Sequence, residues 1–432
     1  MPELSDSLDD WGGTEFVLAA DRLDTPDVIE AADPGDMLRQ VASAAAQVRT
    51  ALRSCLETDL SAFIPDARPR AIVVAGLGGS GLAGEMLAAV TGPSSPVQVM
   101  TAQAERLPGW VGAADAVIAV SGSGATPQTL AAATDAARRG CRLVGVGAKG
   151  SSLHRIAEQA RAPFIPVVAA GREVSTANSM LPRSMLWGLA IPLLVVAERL
   201  GVTRVGPQIY EQAAGRLEEV SHQCRPASES FVNPGKSLAL DLVGTLPVVW
   251  GTSVLSGVAA RRFAAQLSDN AKYPAITGLL PEAAHNQIAA FDGPFAPAAR
   301  PSPGAAGATG VTTESLLPQE AAEDLSGLPD LSSWDLDYED TGLARGFTPL
   351  RLVLIVDPEQ DQRVAAQQRA VTELTAQRGI GLSELAMDGE HPLVRLAGVL
   401  QLTDYASVYL AIASGIDPSQ TAAVTDLQAR IE

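Results

Sequence analysis

The chain has 432 residues, of which 47% are hydrophobic, and this is enough for two or three ordinary domains with buried cores. A formal net charge of −18 at pH 7 argues against nucleic-acid binding, which depends on clustered positive charge. The three cysteines are widely separated and fit neither a metal site nor a disulfide framework, so we expect a cytoplasmic protein.

The N-terminal half predicts a sheet of parallel strands. Residues 1–30 are acidic, contain glycines and lack the apolar core of a signal peptide, so we expect a loosely ordered segment. Apolar residues at helical spacing predict an amphipathic helix over 37–56. Strand and helix patterns then alternate, and right-handed crossovers between the strands would give a three-layer sandwich. The predicted strands are 71–75, 97–100, 116–120, 142–146 and 163–167.

A long apolar helix, predicted at 180–200, closes this unit. Its apolar run at 186–197 is shorter than the roughly 20 residues that span a bilayer, so we predict a buried helix and no membrane. The second half begins near 206, and its glycine-rich turn at 251–257 parallels an earlier turn at 76–81, which indicates an internal duplication. The elements predicted there are helices at 208–220, 258–267, 362–378, 392–414 and 418–431, and strands within 244–250, at 350–356 and near 383–387.

One stretch of the second half breaks the pattern. Residues from about 294 to 348 are rich in Pro, Ala and Gly and then strongly acidic, so we predict a flexible surface insertion. We therefore predict two domains, at 31–205 and 206–432, with the insertion inside the second.

Two glycine-rich turns each follow a predicted strand and precede a predicted helix. They are Gly76-Leu77-Gly78-Gly79-Ser80-Gly81 and Ser121-Gly122-Ser123-Gly124-Ala125-Thr126. Glycines let a backbone approach a ligand closely, and helix N-termini attract anions. The hydroxyls of Ser121, Ser123 and Thr126 are further donors for one phosphate. A Ser/Gly-rich loop that only caps a helix, or a dinucleotide site at the first turn, are the alternatives.

These two turns resemble those of a sugar isomerase (SIS) domain. Further motifs occur in the order found in the bifunctional phosphoglucose/phosphomannose isomerase family, and the resemblance runs from about residue 25 to the end with one insertion. These motifs are Pro182-Arg183, Asn270-Ala271-Lys272, Leu280-Pro281-Glu282-Ala283-Ala284-His285-Asn286 and Gly415-Ile416-Asp417-Pro418. The resemblance implies an α/β fold of two tandem SIS domains, each a mostly parallel sheet with helices on both faces.

The resemblance also implies a reaction and a substrate. The family interconverts glucose 6-phosphate or mannose 6-phosphate with fructose 6-phosphate through a cis-enediol, which needs no metal and no cofactor. It implies a homodimer that binds a phosphorylated hexose. The positions that match the family's substrate-binding residues are Gly79, Ser80, Ser121, Ser123, Thr126 and Thr421.

Three positions match catalytic residues of the family. Arg183 would stabilise the developing charge, or else form a structural ion pair. His285 would open the sugar ring from the neighbouring subunit, or else be a helix-capping or core histidine. Asp269 stands where the family has its proton-transfer glutamate, and its side chain is one methylene shorter. Glu282 is a substitute base in the same region.

A second catalytic position also departs from the family. Gln428 stands where the family has a lysine in the last helix, and no lysine follows Lys272. The loss removes a positively charged donor for a sugar oxygen. Two functions are therefore compatible with the sequence. One is an active sugar-phosphate isomerase, and the other is a protein that binds a sugar phosphate without turnover, as a regulator or sensor.

Overall fold

Two parallel β-sheets organise the described part of the chain, which comprises residues 10–63, 68–169, 172–173, 182–297 and 348–431 of a computed structural model. The proposed domains at 31–205 and 206–432 contain one of these parallel sheets each. Residues 298–347, which make up most of the predicted insertion, lie outside the described residues.

The first sheet has five parallel strands in the order β2-β1-β3-β4-β5. These strands are β1 (Ala71–Ala75), β2 (Gln98–Ala102), β3 (Ala116–Ser121), β4 (Arg142–Gly147) and β5 (Phe164–Pro166). Every residue of β1 and β3 is buried, because helices cover both faces of the sheet. A short antiparallel pair, β6 (Val168–Ala169) and β7 (Arg172–Glu173), follows.

Eight helices lie in the described residues of this half. They are α1 (Asp10–Asp24), α2 (Pro26–Ala32), α3 (Met37–Ala42), α4 (Ala44–Glu57), α5 (Gly79–Thr91), α6 (Pro127–Arg138), α7 (Ser152–Ala160) and α8 (Leu186–Arg199), with 3₁₀ turns at Ser61–Phe63 and Pro182–Ser184. Helix α8 is buried over most of its length because it packs between α4 and α5. Its start is later than the predicted residue 180, since a 3₁₀ turn precedes it.

The second sheet has four parallel strands in the order β11-β10-β8-β9. They are β8 (Leu246–Gly251), β9 (Ile276–Leu279), β10 (Leu350–Val356) and β11 (Gly381–Ala386). Read from β9, this order is the same as that of β2, β1, β3 and β4 in the first sheet. The internal duplication indicated by the glycine-rich turns is therefore present in the topology, and the fold is the tandem α/β arrangement that the sequence predicted.

In the second half, the parts of the chain at 206–297 and 348–431 contain seven helices. They are α9 (Gly206–Gln223), α10 (Pro234–Leu242), α11 (Val254–Gln266), α12 (Ala283–Asn286), α13 (Gln362–Gln377), α14 (Pro392–Ala413) and α15 (Ala422–Ile431), with a π-helical turn at Leu267–Ala271 and a 3₁₀ turn at Ile288–Asp292. By length and composition α14 resembles a membrane span, but 94% of its most apolar stretch is buried inside the protein. It is a core helix that packs against α9, α10 and α11.

Two predictions near the N-terminus differ from the structure. The segment expected to be loosely ordered is helical over α1 and α2, because its apolar side chains are buried, among them Leu23 and Ile29. The single helix expected over 37–56 is divided at Ser43, whose hydroxyl donates to the Gln40 carbonyl 2.7 Å away. A serine that bonds to its local backbone competes with helix continuation at that position.

A buried lysine ties α1 to the second half. Lys236 in α10 is 1% exposed, and its Nζ donates to the carbonyls of Leu23, Pro226 and Ser228 at 2.5, 2.8 and 2.7 Å. The ammonium also lies 5.7 Å from the ring centre of Tyr409. Burial lowers the pKa of Lys236, and three carbonyl acceptors compensate for the lost hydration of the charge.

We expect Lys236→Met to lower the free energy of unfolding by about 2–3 kcal/mol, because it leaves buried carbonyls without a donor. Denaturant unfolding followed by circular dichroism measures this change. The exposed Lys149 is the matched control, and Lys149→Met should cost less than about 1 kcal/mol. Equal losses in the two variants would show that the buried ammonium contributes nothing specific.

Candidate functional site

The hydroxyl-rich turn after β3 brings its three hydroxyls together. The Oγ of Ser121 lies 2.9 Å from the Oγ1 of Thr126 and 3.4 Å from the Oγ of Ser123. Ser121 also accepts from the amide of Gly124 at 3.1 Å, and Ser123 accepts from Ala125 at 3.3 Å. Thr126 precedes α6, but its side chain makes no capping bond to that helix. The arrangement therefore differs from a loop whose hydroxyls only cap a helix.

One glycine of this turn, Gly124, is required by its surroundings. Gly124 has a φ of +64°, and a Cβ there would collide with the side chain of Ser151. Gly122 faces Met185, whose Cε would lie 3.8 Å from a Cβ at that glycine. The turn is thus packed against α7 on one side and against the segment just after Arg183 on the other.

The first glycine-rich turn lies at the same edge of the sheet. Strands β1 and β3 are parallel neighbours, so the turns that follow them are adjacent. Gly78 has a φ of +55°, Gly79 begins α5, and Ser80 is buried in the first turn of that helix. The N-termini of α5 and α6 therefore both face this edge, which favours an anion.

Arg183 is held by backbone carbonyls from two distant parts of the second half. Its Nη1 donates to the Asp269 carbonyl at 3.3 Å, and its Nη2 donates to the Pro418 carbonyl at 2.8 Å. Its Nε is buried without a hydrogen-bond partner among the described residues. Burial lowers the pKa of Arg183, although the carboxylates of Asp269 and Asp417 oppose that shift. The guanidinium therefore joins two backbone segments, and its Nε has no partner in the described ranges. It forms no close ion pair in the described chain.

Asp269 lies in the π-helical turn that continues α11. A π turn inserts an extra residue into a helix and is frequent at functional sites. The side chain of Asp269 is exposed, whereas its neighbour Asn270 is fully buried and donates to the Oγ of Ser407 at 2.9 Å. Asn270 therefore anchors the turn in the core, while the carboxylate of Asp269 faces solvent.

Lys272 joins this turn to the C-terminal loop. Its backbone is left-handed, with a φ of +61°, and its Nζ donates to the carbonyls of Asp269 and Gln420 at 2.6 and 2.8 Å. Burial and the nearby Arg183 lower the pKa of Lys272. The loop that carries Thr421 is thus attached to the Asp269 turn by two cations. Gln428 lies in the helix that follows this loop.

His285 is placed apart from these residues. It lies in α12 with its ring exposed, and its amide donates to the Glu282 carbonyl at 2.8 Å. In the ranges that the structure covers, no hydrogen bond or ion pair links the ring to Arg183 or Asp269. Glu282 is also exposed. One chain therefore groups the hydroxyl turn, Arg183 and Asp269, and leaves His285 outside that group.

Two buried charged residues next to Arg183 were missed by the sequence analysis. Arg262 and Asp404 form a buried pair with Nε–Oδ1 and Nη2–Oδ2 distances of 3.0 Å. Arg262 also donates to the backbone carbonyl of Arg183. The available signal was a carboxylate in the middle of a long apolar helix, since such a group needs a partner when it is buried.

Comparisons with known proteins lead to the family that the sequence motifs resemble. Residues 231–431 match the model of the bacterial phospho-glucose isomerase C-terminal SIS domain. The chain is 26% identical over 349 residues to a bifunctional phosphoglucose/phosphomannose isomerase from Caldicellulosiruptor bescii, with 81% of this chain and 85% of the relative covered. It is 27% identical to a D-glucosamine-6-phosphate 4-epimerase from Sulfolobus acidocaldarius over 54% of this chain and 68% of that relative.

A solved structure shows the same fold. It is a putative phosphosugar isomerase from Clostridium difficile, with a TM-score of 0.57 at 13% identity, and the match covers 90% of this chain and 97% of that one. The relatives extend over both halves of the chain, as do the two sheets and the ordered motifs. The chain resembles the bifunctional phosphoglucose/phosphomannose isomerases, and its second half matches a SIS domain of that kind.

Proposed function

We propose that this protein is an aldose–ketose isomerase that converts glucose 6-phosphate or mannose 6-phosphate to fructose 6-phosphate through a cis-enediol. The observation that supports it most is the position of Arg183. Its guanidinium contacts the turn that carries Asp269, and the residue two places further on packs against Gly122 of the hydroxyl turn. A phosphate-binding turn and a candidate base are thereby held by one short segment.

The hydroxyls of Ser121, Ser123 and Thr126 bind the phosphate together with free amides at the start of α6. Gly79 and Ser80 contribute at the start of α5. Hydroxyl and amide donors that converge on an anion form charge-assisted hydrogen bonds, which are stronger than neutral ones. Such local donors are needed, because the net charge of −18 opposes the approach of a sugar phosphate.

Asp269 transfers the proton. Its carboxylate removes the proton from C2 of the open aldose, a C1=C2 double bond forms as the C1=O bond becomes single, and the negative charge falls on O1. A proton then moves from O2 to O1, C2=O forms, and the carboxylic acid returns its proton to C1 to give the ketose. The guanidinium of Arg183 stabilises the oxygen charge that develops. Thr421 contacts the sugar from the C-terminal loop, which Arg183 and Lys272 fix at Pro418 and Gln420.

Ring opening requires a proton donor and acceptor near the ring oxygen. His285 is exposed on one chain and not linked to the Asp269 group, so we propose that it acts in the site of a second copy within a homodimer. An imidazole exchanges protons near neutral pH, which suits this step.

A sugar-phosphate-binding protein without turnover is the second candidate, and specific observations favour it. The base is shorter than the family glutamate, and Gln428 replaces the family lysine. Both terminal nitrogens of Arg183, and the ammonium of Lys272, are already hydrogen-bonded to backbone carbonyls. In this alternative the cations only hold the loop in place and the hydroxyl turn binds a regulatory ligand.

The phosphate site is tested by Ser123→Ala. We expect it to weaken fructose 6-phosphate binding by about 1–3 kcal/mol, because one charge-assisted hydrogen bond is lost. Titration calorimetry measures the affinity. Thr134→Ala in α6, the helix that follows this turn, is the control, since its hydroxyl bonds only to the Leu130 carbonyl in the described chain. Unchanged affinity in Ser123→Ala would contradict this phosphate site.

The base is tested by Asp269→Asn. We expect isomerisation to fall about 100- to 10,000-fold while fructose 6-phosphate binding stays nearly constant, because a base acts mainly in the transition state. A coupled assay with the three hexose 6-phosphates, and with glucosamine 6-phosphate as a comparison, gives the rates. Glu282→Gln should retain most of the activity, and the reverse result would make Glu282 the base. A wild type that binds but never isomerises would favour the second candidate.

The shared site is tested by mixing two inactive variants, Asp269→Asn and His285→Ala, through co-expression. In a homodimer with His285 acting in trans, each mixed dimer has one intact site, so activity should return to about a quarter of the wild-type value. If His285 acts within its own chain, every site keeps one defect and no activity returns. Sedimentation of each variant checks that the dimer forms.

A further inference from the structure

Arg262 connects three elements through a single buried side chain. It is 3% exposed and lies in α11, and its guanidinium makes a bidentate pair with Asp404 of α14. Its Nη2 also donates to the backbone carbonyl of Arg183, in the 3₁₀ turn before α8. The side chain therefore fixes the backbone of Arg183, which comes from the first half of the chain, to two helices of the second half.

The same helix α14 holds the other side of the site. Ser407, one turn after Asp404, accepts from the Nδ2 of Asn270 at 2.9 Å and donates to the Asp404 carbonyl at 2.7 Å. Asn270 is the neighbour of Asp269 in the π turn. Arg183 and Asp269 are thus both positioned relative to a short stretch of α14, the first through Arg262 and the second through Asn270.

We propose that Arg262, held by Asp404, is a positioning residue for the isomerase reaction, which sets Arg183 against the turn that carries Asp269. This inference rests on the proposed function, because it assigns Arg262 a role in the same site. Arg262 has no contact with the hydroxyl turn among the described residues, so its effect is on the reacting end of the sugar and not on the phosphate.

A lysine cannot reproduce this arrangement. The guanidinium has a planar fork that donates to both carboxylate oxygens while a shared nitrogen reaches a third acceptor, whereas an ammonium is a compact point donor. Arg262→Lys keeps the buried charge beside Asp404 and gives up either the carboxylate fork or the Arg183 carbonyl. It is therefore a mild change to the core and a specific change to the Arg183 backbone.

The chain provides a matched control. Arg395 of α14 is also buried, at 2% exposed, and pairs with Asp357 at 3.2 Å and with Glu359 at 2.6 Å. This pair lies at the carboxyl end of the second sheet, and no described contact joins it to Arg183 or Asp269. Arg395→Lys makes the same chemical change in an equally buried pair and should lower the melting temperature without changing kcat or KM.

We expect Arg262→Lys to lower kcat about 10- to 100-fold, because small displacements of reacting groups have effects of that size. Its KM for fructose 6-phosphate should stay within about threefold of the wild type, since phosphate binding is untouched. Asp404→Asn should change kcat in the same direction, and it keeps the test open if Arg262→Lys folds poorly. A kcat equal to that of Arg395→Lys, or a rise of KM as large as the fall of kcat, would overturn the inference.

A double-variant cycle tests the route through Arg183. In an Arg183→Lys background, adding Arg262→Lys should lower kcat no further, because the group that it positions is already lost. Independent, multiplying losses would show that Arg262 acts on stability and not through Arg183.

A binding experiment separates this inference from the proposed function. The probe is 5-phosphoarabinonate, a sugar-acid phosphate whose carboxylate resembles the charge of the enediolate, compared with fructose 6-phosphate by calorimetry. Arg262→Lys should lose at least about tenfold more affinity for the sugar acid than for the ketose phosphate. If the wild type has no isomerase activity but this difference is found, the positioning role stands and the proposed reaction fails. Equal losses for the two probes would overturn the positioning role even in an active enzyme.

Discussion

The candidate site depends on one buried guanidinium that contacts both halves of the chain. Arg262 is removed from water, so its charge requires a partner, and Asp404 provides a carboxylate with matching fork geometry. Replacing such a pair with apolar side chains is often neutral for stability, so the free energy of folding alone does not require the pair. What an apolar core would lack is a donor for the Arg183 carbonyl. The physical constraint is therefore directional, because the planar guanidinium donates to both oxygens of one carboxylate and to a backbone carbonyl at the same time.

The two sheets have the same strand order but different chemistry at their carboxyl ends. In the first sheet, three hydroxyls and two helix N-termini converge without an internal carboxylate. In the second, Asp357 follows β10 and accepts from the Oγ of Ser253 at 2.6 Å, while Arg395 pairs with the same carboxylate. At the carboxyl end of the second sheet, the donors are thus already bonded to a carboxylate of the chain itself. The duplication supplies two equivalent edges, and among the described residues a carboxylate of the chain is bonded to a hydroxyl at the second edge but to none of the three hydroxyls at the first.

The sequence was sufficient to predict the strands of the first sheet, three of the four strands of the second sheet (not β9), the two turns and the convergence of Ser121, Ser123 and Thr126. These features follow from local patterns: an apolar strand, small residues that allow a tight turn, and a helix start. The π turn around Asp269 could not be predicted in this way, because its extra residue is held by Asn270 and Ser407 across a long sequence separation. Nor could the division of the first long helix at Ser43, which depends on one hydroxyl. The roles assigned to Asp269, His285 and Arg183 remain predictions, since their geometry is compatible with turnover and does not demonstrate it.

The charge distribution gives this arrangement its functional meaning. A chain with a net charge of −18 repels a sugar phosphate at long range, and salt screens that repulsion beyond about 10 Å. Within the site, Arg183 and Lys272 lie near the carboxylates of Asp269 and Asp417, and Arg262 is paired with Asp404. The three cations also donate to backbone carbonyls, which holds them in place instead of letting them follow a ligand. Fixed charges need no reorganisation when an oxyanion develops, and this is the main source of electrostatic catalysis. In the proposed reaction this is the contribution of the Arg183 guanidinium, which the carbonyls of Asp269 and Pro418 hold beside the turn that carries the candidate base.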